Sequence, residues 1–243
     1  MSQDQIRFKK LFEFGKQLRN RYLHAIAARK VFDEFNKLSA TNIVGKKNAE
    51  ANVKIFNFYK YFFLTSKEAV RCFFMIELAK FFDEDTRKQT LSIQNIIHYV
   101  EKRIESFSVD EFHKYHNERH IIPELFERFK ALTNNDLNKI KIRLNRNKKR
   151  IENLKKYRDK FLAHDDIKKK DILIHKKDID ILLRIVKDTI ALIYTKLEFS
   201  VNSYQNYEEE PVREINRLMK ALKEHEDQRL ADIEKKYGVK VPR

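Results

Sequence analysis

Glycine and proline are almost missing from this chain, and that restricts its fold more than any other feature. Gly15, Gly45 and Gly238 are its three glycines, and Pro123, Pro211 and Pro242 its three prolines. Turns with positive φ are made at little cost by glycine alone, so no glycine-dependent turn is available between Gly45 and Gly238. With lysine, leucine, isoleucine, glutamate and phenylalanine abundant, the composition predicts an all-α protein with short polar connections. The 243 residues suffice for one large or two small domains and for a real core. Phosphate-cradling glycine loops and the strained serine elbow of hydrolases both need glycines at fixed offsets that do not occur here.

A single cysteine, Cys72, rules out an intrachain disulfide and suits a reducing compartment. Its setting, RCFFMIELAKFF, points to a small buried hydrophobe rather than a nucleophile. The first twenty residues lack the continuous apolar core of a signal peptide. The most hydrophobic stretch, 55–82, is broken by Lys60, Lys67, Glu68, Arg71 and Glu77, so no membrane span is expected there. A cytoplasmic protein without membrane contact is the expectation.

Net charge is +16 and unevenly placed. Residues 1–50 carry +6 and residues 139–160 carry +9, while 51–138 and 205–243 balance and 161–204 add +1. A basic surface concentrated in one segment suits a polyanion, whose condensed counterions are released on binding. A lysine-rich composition unrelated to binding is the competing reading, and charge by itself does not separate the two.

In chain order, residues 5–38 predict a first helix. Phe8, Leu11, Phe12, Leu18, Tyr22, Ala25, Phe32 and Phe35 recur along it at three- and four-residue steps. Residues 39–48 read as a loop. Residues 49–82 predict a second long helix, apolar nearly all round and hence central, in which Glu77 needs a basic partner. Asp83, Glu84 and Asp85 read as a solvated loop. Ser92 is positioned to cap a short helix over 93–105, and Ser108 with Glu111 has capping-box spacing for the next. His113, His116 and His120 fall on one face of that helix, a pattern that fits zinc but more often marks a solvated face. Thr133 and Asp136 start a helix whose seam is Leu137, Ile140, Leu144, Ile151, Leu154 and Phe161. Asn147 and Arg158 occupy that seam where apolar residues are expected. Residues 176–204 predict the last core helix, and 208–236 a charged helix with a thin apolar stripe.

The segment RIENLKKYRDKFLAHDD, residues 150–166, carries the site candidates. Six residues on a helix advance about 9 Å and turn about 240°. Arg158 and His164 therefore converge only if the helix ends near Ala163 or if another chain completes the site. In the bland alternative, Arg158 pairs with a carboxylate such as Glu77 and His164 is a polar helix-end residue.

The stretch YRDKFLAHDD resembles the signature of the HEPN (higher eukaryotes and prokaryotes nucleotide-binding) superfamily: arginine, a polar residue, a short spacer, then histidine. Arg158, Asp159 and His164 match it in order, with five residues between the arginine and the histidine. The upstream ELAKFFDEDTRKQTLSIQNI is similar to the AbiU-type abortive-infection branch. The resemblance spans about residues 5–204, which divides the chain into a HEPN-like bundle, 1–204, and a charged helical extension, 205–243. It implies an up-and-down antiparallel helical bundle with an additional C-terminal helix, forming a homodimer with a composite active site. It further implies metal-independent RNA cleavage in antiviral defence or as a toxin, no cofactor, and a possible cognate antitoxin. Other members have lost catalysis, so a non-catalytic module binding RNA, nucleotide or a protein partner is the alternative. A third reading is a helical protein whose 139–160 segment contacts nucleic-acid phosphates.

The chemistry of such a site is independently coherent. Attack of a ribose 2′-hydroxyl on its phosphate needs a base, an acid and positive charge at the phosphoryl oxygens. His164 is the residue type that titrates near neutrality, and Arg158 offers a fixed fork for phosphate oxygens. Two histidines from a two-fold dimer would divide the acid and base roles. Asp159 is expected to orient Arg158 or His164, and Lys148, Lys149, Arg150, Lys156 and Lys160 to hold the RNA backbone.

Overall fold

The structure, a computed structural model, describes residues 3–84, 91–117, 131–163, 173–197, 204–238 and 240. Among these the chain is all-α, with ten α-helices and no strand. In order they are α1 (Gln3–Leu38), α2 (Thr41–Val44), α3 (Lys46–Phe58), α4 (Lys60–Lys80) and α5 (Ile93–Glu101). Then come α6 (Val109–Asn117), α7 (Asn134–Arg146), α8 (Lys148–Tyr157), α9 (Lys176–Leu197) and α10 (Gln205–Tyr237). A 3-10 turn, Ile104–Phe107, precedes α6, and a π-helical turn, Arg158–Ala163, continues α8. Among the described residues no helix is long and apolar enough to cross a membrane.

The helix starts follow the side-chain signals. Ser92 accepts from the Asn95 backbone N–H at 3.2 Å and caps α5. Thr133 and Asp136 form a reciprocal capping box at α7, each side chain accepting from the other residue's backbone N–H. Two long helices read from sequence are broken. The expected helix over 49–82 starts at Lys46 and stops at Phe58, because Tyr59 sits at φ −104 and ψ 38 before α4 begins. The expected run from Thr133 stops at Asn147, whose amide donates to the Arg143 carbonyl at 2.9 Å while its backbone leaves helical geometry. An asparagine in an apolar seam bonds its own backbone instead of packing, and the helix ends there.

The helices pack into two compact units, Met1–Ala25 with Met75–Ser203, and Ile26–Phe74 with Tyr204–Arg243. α1 and α4 run through both. The core of the first unit holds Phe8, Leu11, Leu18, Tyr22, Leu78, Phe81, Ile93, Val100, Leu154, Leu182 and Val186, all buried. Gly15 lets α1 approach α9, since a Cβ there would stand 2.9 Å from Ile193 Cγ2. Glu77 finds its basic partners in Arg21, at 2.8 Å, and Lys80, also at 2.8 Å.

In the second unit, Ile215 and Met219 of α10 are buried with Phe35, Leu38, Ile55 and Phe63. Asn216 donates to Glu34 at 3.2 Å, and Lys37 also pairs with that buried carboxylate. The C-terminal helix thus completes a core with residues 26–74. The 49–82 region is not apolar toward protein on every side: Phe58, Phe62, Leu64 and Phe73 are exposed, and Tyr61 is 85% exposed. Cys72 is partly exposed and donates to Glu68 at 3.3 Å, so it is not the buried hydrophobe expected. Burial and the Glu68 carboxylate push its thiol up, away from the reactive thiolate.

Candidate functional site

Arg158 opens the π turn at the end of α8 and lies on the helix side that buries Ile151 and Leu154. A cation in that position needs an acid, and it has two. Its Nη1 donates to both carboxylate oxygens of Asp83, at 2.8 and 3.0 Å, and its Nε donates to Asp159 at 2.8 Å. Arg158 and Asp83 are 20% and 23% exposed, whereas Asp159 is 56% exposed. Burial opposes the charge on Arg158, but the Asp159 and Asp83 carboxylates outweigh it and raise its pKa above the usual arginine value. Lys155, three residues earlier, pairs with Glu84 at 3.3 Å. The acidic residues after α4 therefore dock on α8 through Arg158 and Lys155.

Asp83 is the residue that sequence reading missed. It was expected in a solvated loop, and Glu77 was the candidate partner for Arg158. The signal lay in the mismatch itself, a seam arginine without a carboxylate and an acidic run directly after a buried Phe81-Phe82 pair. Which acid meets which arginine depends on helix packing, and no local spacing encodes it.

The basic segment divides into two populations. Of its eleven cations, Lys141, Arg143, Arg150, Lys155 and Arg158 are ion-paired among the described residues, with Glu101, Asp188, Asp178, Glu84 and Asp83 respectively. These pairs tie α7 and α8 to their neighbours. Arg150, expected to hold RNA, is bound to Asp178 at 2.6 Å and to Asn147 at 3.0 Å. Lys148, Lys149 and Lys156 are exposed, Lys160 is half-buried, and none of the four has an ion pair among the described residues. Lys149 and Lys156 precede Arg158 by nine and two residues, so they point about 180° and about 160° away from it around the helix. The structure does not bring these two lysines to the Arg158 side.

His164 lies outside the described residues, as do Asp165, Asp166 and His120. The side chain of His116 is likewise not described, so the three-histidine face is left as the sequence presents it.

A family described as AbiU2, of HEPN type, matches residues 8–228. The chain belongs to the AbiU2 branch of the HEPN family. Neither curated proteins nor solved structures gave a match. The all-α architecture is the helical fold expected of a HEPN protein. The family match runs beyond residue 204, where the resemblance was expected to stop, and takes in most of α10 with Ile215 and Met219. In this HEPN protein the C-terminal helix is thus largely part of the family's own sequence.

Proposed function

We propose that this HEPN protein is a metal-independent endoribonuclease of abortive infection, acting in antiviral defence or as a toxin. The observation that supports this most is Arg158, a family-motif arginine fixed by Asp83 in a π-helical turn with His164 six residues beyond it. In the proposed reaction the 2′-hydroxyl oxygen attacks the adjacent phosphorus and gives its proton to a base. The 5′-oxygen leaves with a proton from an acid, so the products are a 2′,3′-cyclic phosphate and a free 5′-hydroxyl. His164 supplies one proton-transfer group and the same residue of a second protomer the other, while Arg158 neutralises the phosphoryl oxygens. Exposed Lys148, Lys149 and Lys156 capture the polyanion, with Lys160 in the turn itself.

The test is RNA cleavage by purified protein with EDTA present. Arg158→Ala and His164→Ala are each expected to abolish cleavage while the dimer persists in sedimentation. Unchanged cleavage by both variants sinks the assignment.

A second reading, a non-catalytic HEPN module that binds RNA, nucleotide or a cognate antitoxin, is favoured by one specific observation. Arg158 faces two carboxylates, so the trio carries a net negative charge and a phosphate must displace one of them. RNA binding without cleavage, with and without EDTA, selects this reading.

A further inference from the structure

Along 61–73 one side of α4 carries Tyr61, Phe62, Thr65, Glu68, Ala69, Cys72 and Phe73, all within about 70° of a single line down the helix. Tyr61 is 85% exposed, Phe62 56% and Phe73 45%, and Thr65 and Ala69 are exposed between them. A helix face left to water normally carries charge. In a chain that is 36% charged, Glu68 is the one charged side chain of this set, and Arg71 binds it through Nε at 2.8 Å. The opposite side of α4 holds the buried Phe63 and Phe74, so no rotation of the helix hides these rings without exposing those.

We infer that this face of α4 is an interface with a second copy of the chain, formed by antiparallel pairing of the two α4 helices. The stripe is self-complementary, as a two-fold contact requires. Tyr61 and Phe73 are equally far from residue 67, and so are Thr65 and Ala69. Helices crossing there in opposite directions set Tyr61 of each copy against Phe73 of the other. They also set the small Thr65 against the small Ala69, which lets the backbones approach. Three rings at these exposures offer about 350 Å². Leu64, Thr65, Ala69 and Cys72 bring one copy to roughly the 600 Å² per partner at which specific interfaces begin. A lipid surface would need cations bordering the rings. The lysines of this stretch, Lys60 and Lys67, instead point about 150–170° from the middle of the stripe, on the side of Phe63. The face lies in the second unit and uses neither Arg158 nor His164, so it is separate from any pairing across the HEPN motif.

The test is sedimentation velocity of the full-length protein from about 1 to about 100 µM, the range in which a contact of this size forms and dissociates. Its average mass is expected to rise with concentration. Ala69→Arg sets a long charged side chain at the crossing and should move that rise about ten-fold or more higher in concentration. Arginine is a good helix former and residue 69 is exposed, so the thermal melt of this variant should match wild type. Tyr61→Lys with Phe73→Lys carries the same expectation. His164→Ala should leave the rise unmoved, which separates this interface from the nuclease reading. In a Cys72→Ser background, Ala69→Cys is expected to join two copies through a short bismaleimide, since the two positions stand about 10 Å apart across the crossing. The inference is overturned if wild type and Ala69→Arg have the same mass at every concentration, if no crosslink forms, or if the variants change only binding to anionic vesicles.

Discussion

Arg158 is half-hidden, held at two of its nitrogens by carboxylates, and shares its helix side with Ile151 and Leu154 rather than with the exposed lysines. Asp83 and Asp159 contribute differently. Asp83 is the less exposed and grips Nη1 with both oxygens, so it sets the position of the guanidinium. Asp159 is more exposed, so on the RNA-binding readings it is the carboxylate a phosphate would displace at lower cost. Asp83→Ala leaves Arg158 short of a partner and is expected to cost about 1–2 kcal/mol, toward the lower end for a charged hydrogen bond because the pair is partly exposed. On the nuclease reading it also lowers cleavage at least ten-fold, measured beside the urea midpoint. Asp159→Asn removes one competing charge and is expected to tighten RNA binding several-fold in a fluorescence titration. Weaker binding by that variant would place Asp159 among the groups that hold RNA.

At the scale of elements, Glu77 and Asp136 are two of the carboxylates whose pKa folding lowers. Burial opposes ionisation of Glu77, but hydrogen bonds from Lys80 and Arg21 outweigh it and lower its pKa. Asp136 is likewise opposed by burial, and held down by the Thr133 hydroxyl and backbone N–H and by Lys196. A carboxylate whose pKa is lowered by folding adds stability that is complete above its unfolded value, about 3.9 for aspartate and about 4.3 for glutamate. That contribution is lost as pH falls through the lower folded value. Urea midpoints should therefore be flat from about pH 7 to about pH 5 and fall below about pH 4.5. Glu77→Gln should reduce that fall, and an unchanged acid limb would remove Glu77 as a cause. In the second unit, Met219→Ala leaves a cavity beside Phe35 and Phe63 and is expected to cost about 2–5 kcal/mol by urea unfolding.

For the whole molecule, the +16 charge is less available than its size suggests, because close to half the cations of residues 139–160 serve as ties between helices. The remaining exposed lysines should dominate polyanion capture. Replacing Lys148, Lys149 and Lys156 together by alanine is expected to weaken RNA binding irrespective of sequence. It should also reduce the slope of log affinity against log salt by about 2, since each phosphate contact on a single strand contributes about 0.7. An unchanged slope would put the RNA path elsewhere. Truncation after residue 204 removes Ile215 and Met219 from a core, so the shortened chain should unfold at lower temperature than the full one by calorimetry.

The sequence determined the helical class, because three glycines leave few ways to turn a strand back, and it located the caps at Ser92 and Thr133. These are local matters, settled by backbone sterics and by side chains within four residues of one another. Tyr59 was not legible as a break, since periodicity records which face is apolar and not where a helix bends to fill a core. Nor was the place of α10, whose thin stripe gains its value from Phe35, Ile55 and Phe63, far away in the chain. Pairings over long separations belong to tertiary structure alone. Arg158 stands seventy-five residues from Asp83, and only the tertiary fold, which brings the residues after α4 to the turn after α8, makes that aspartate, rather than Glu77, its partner.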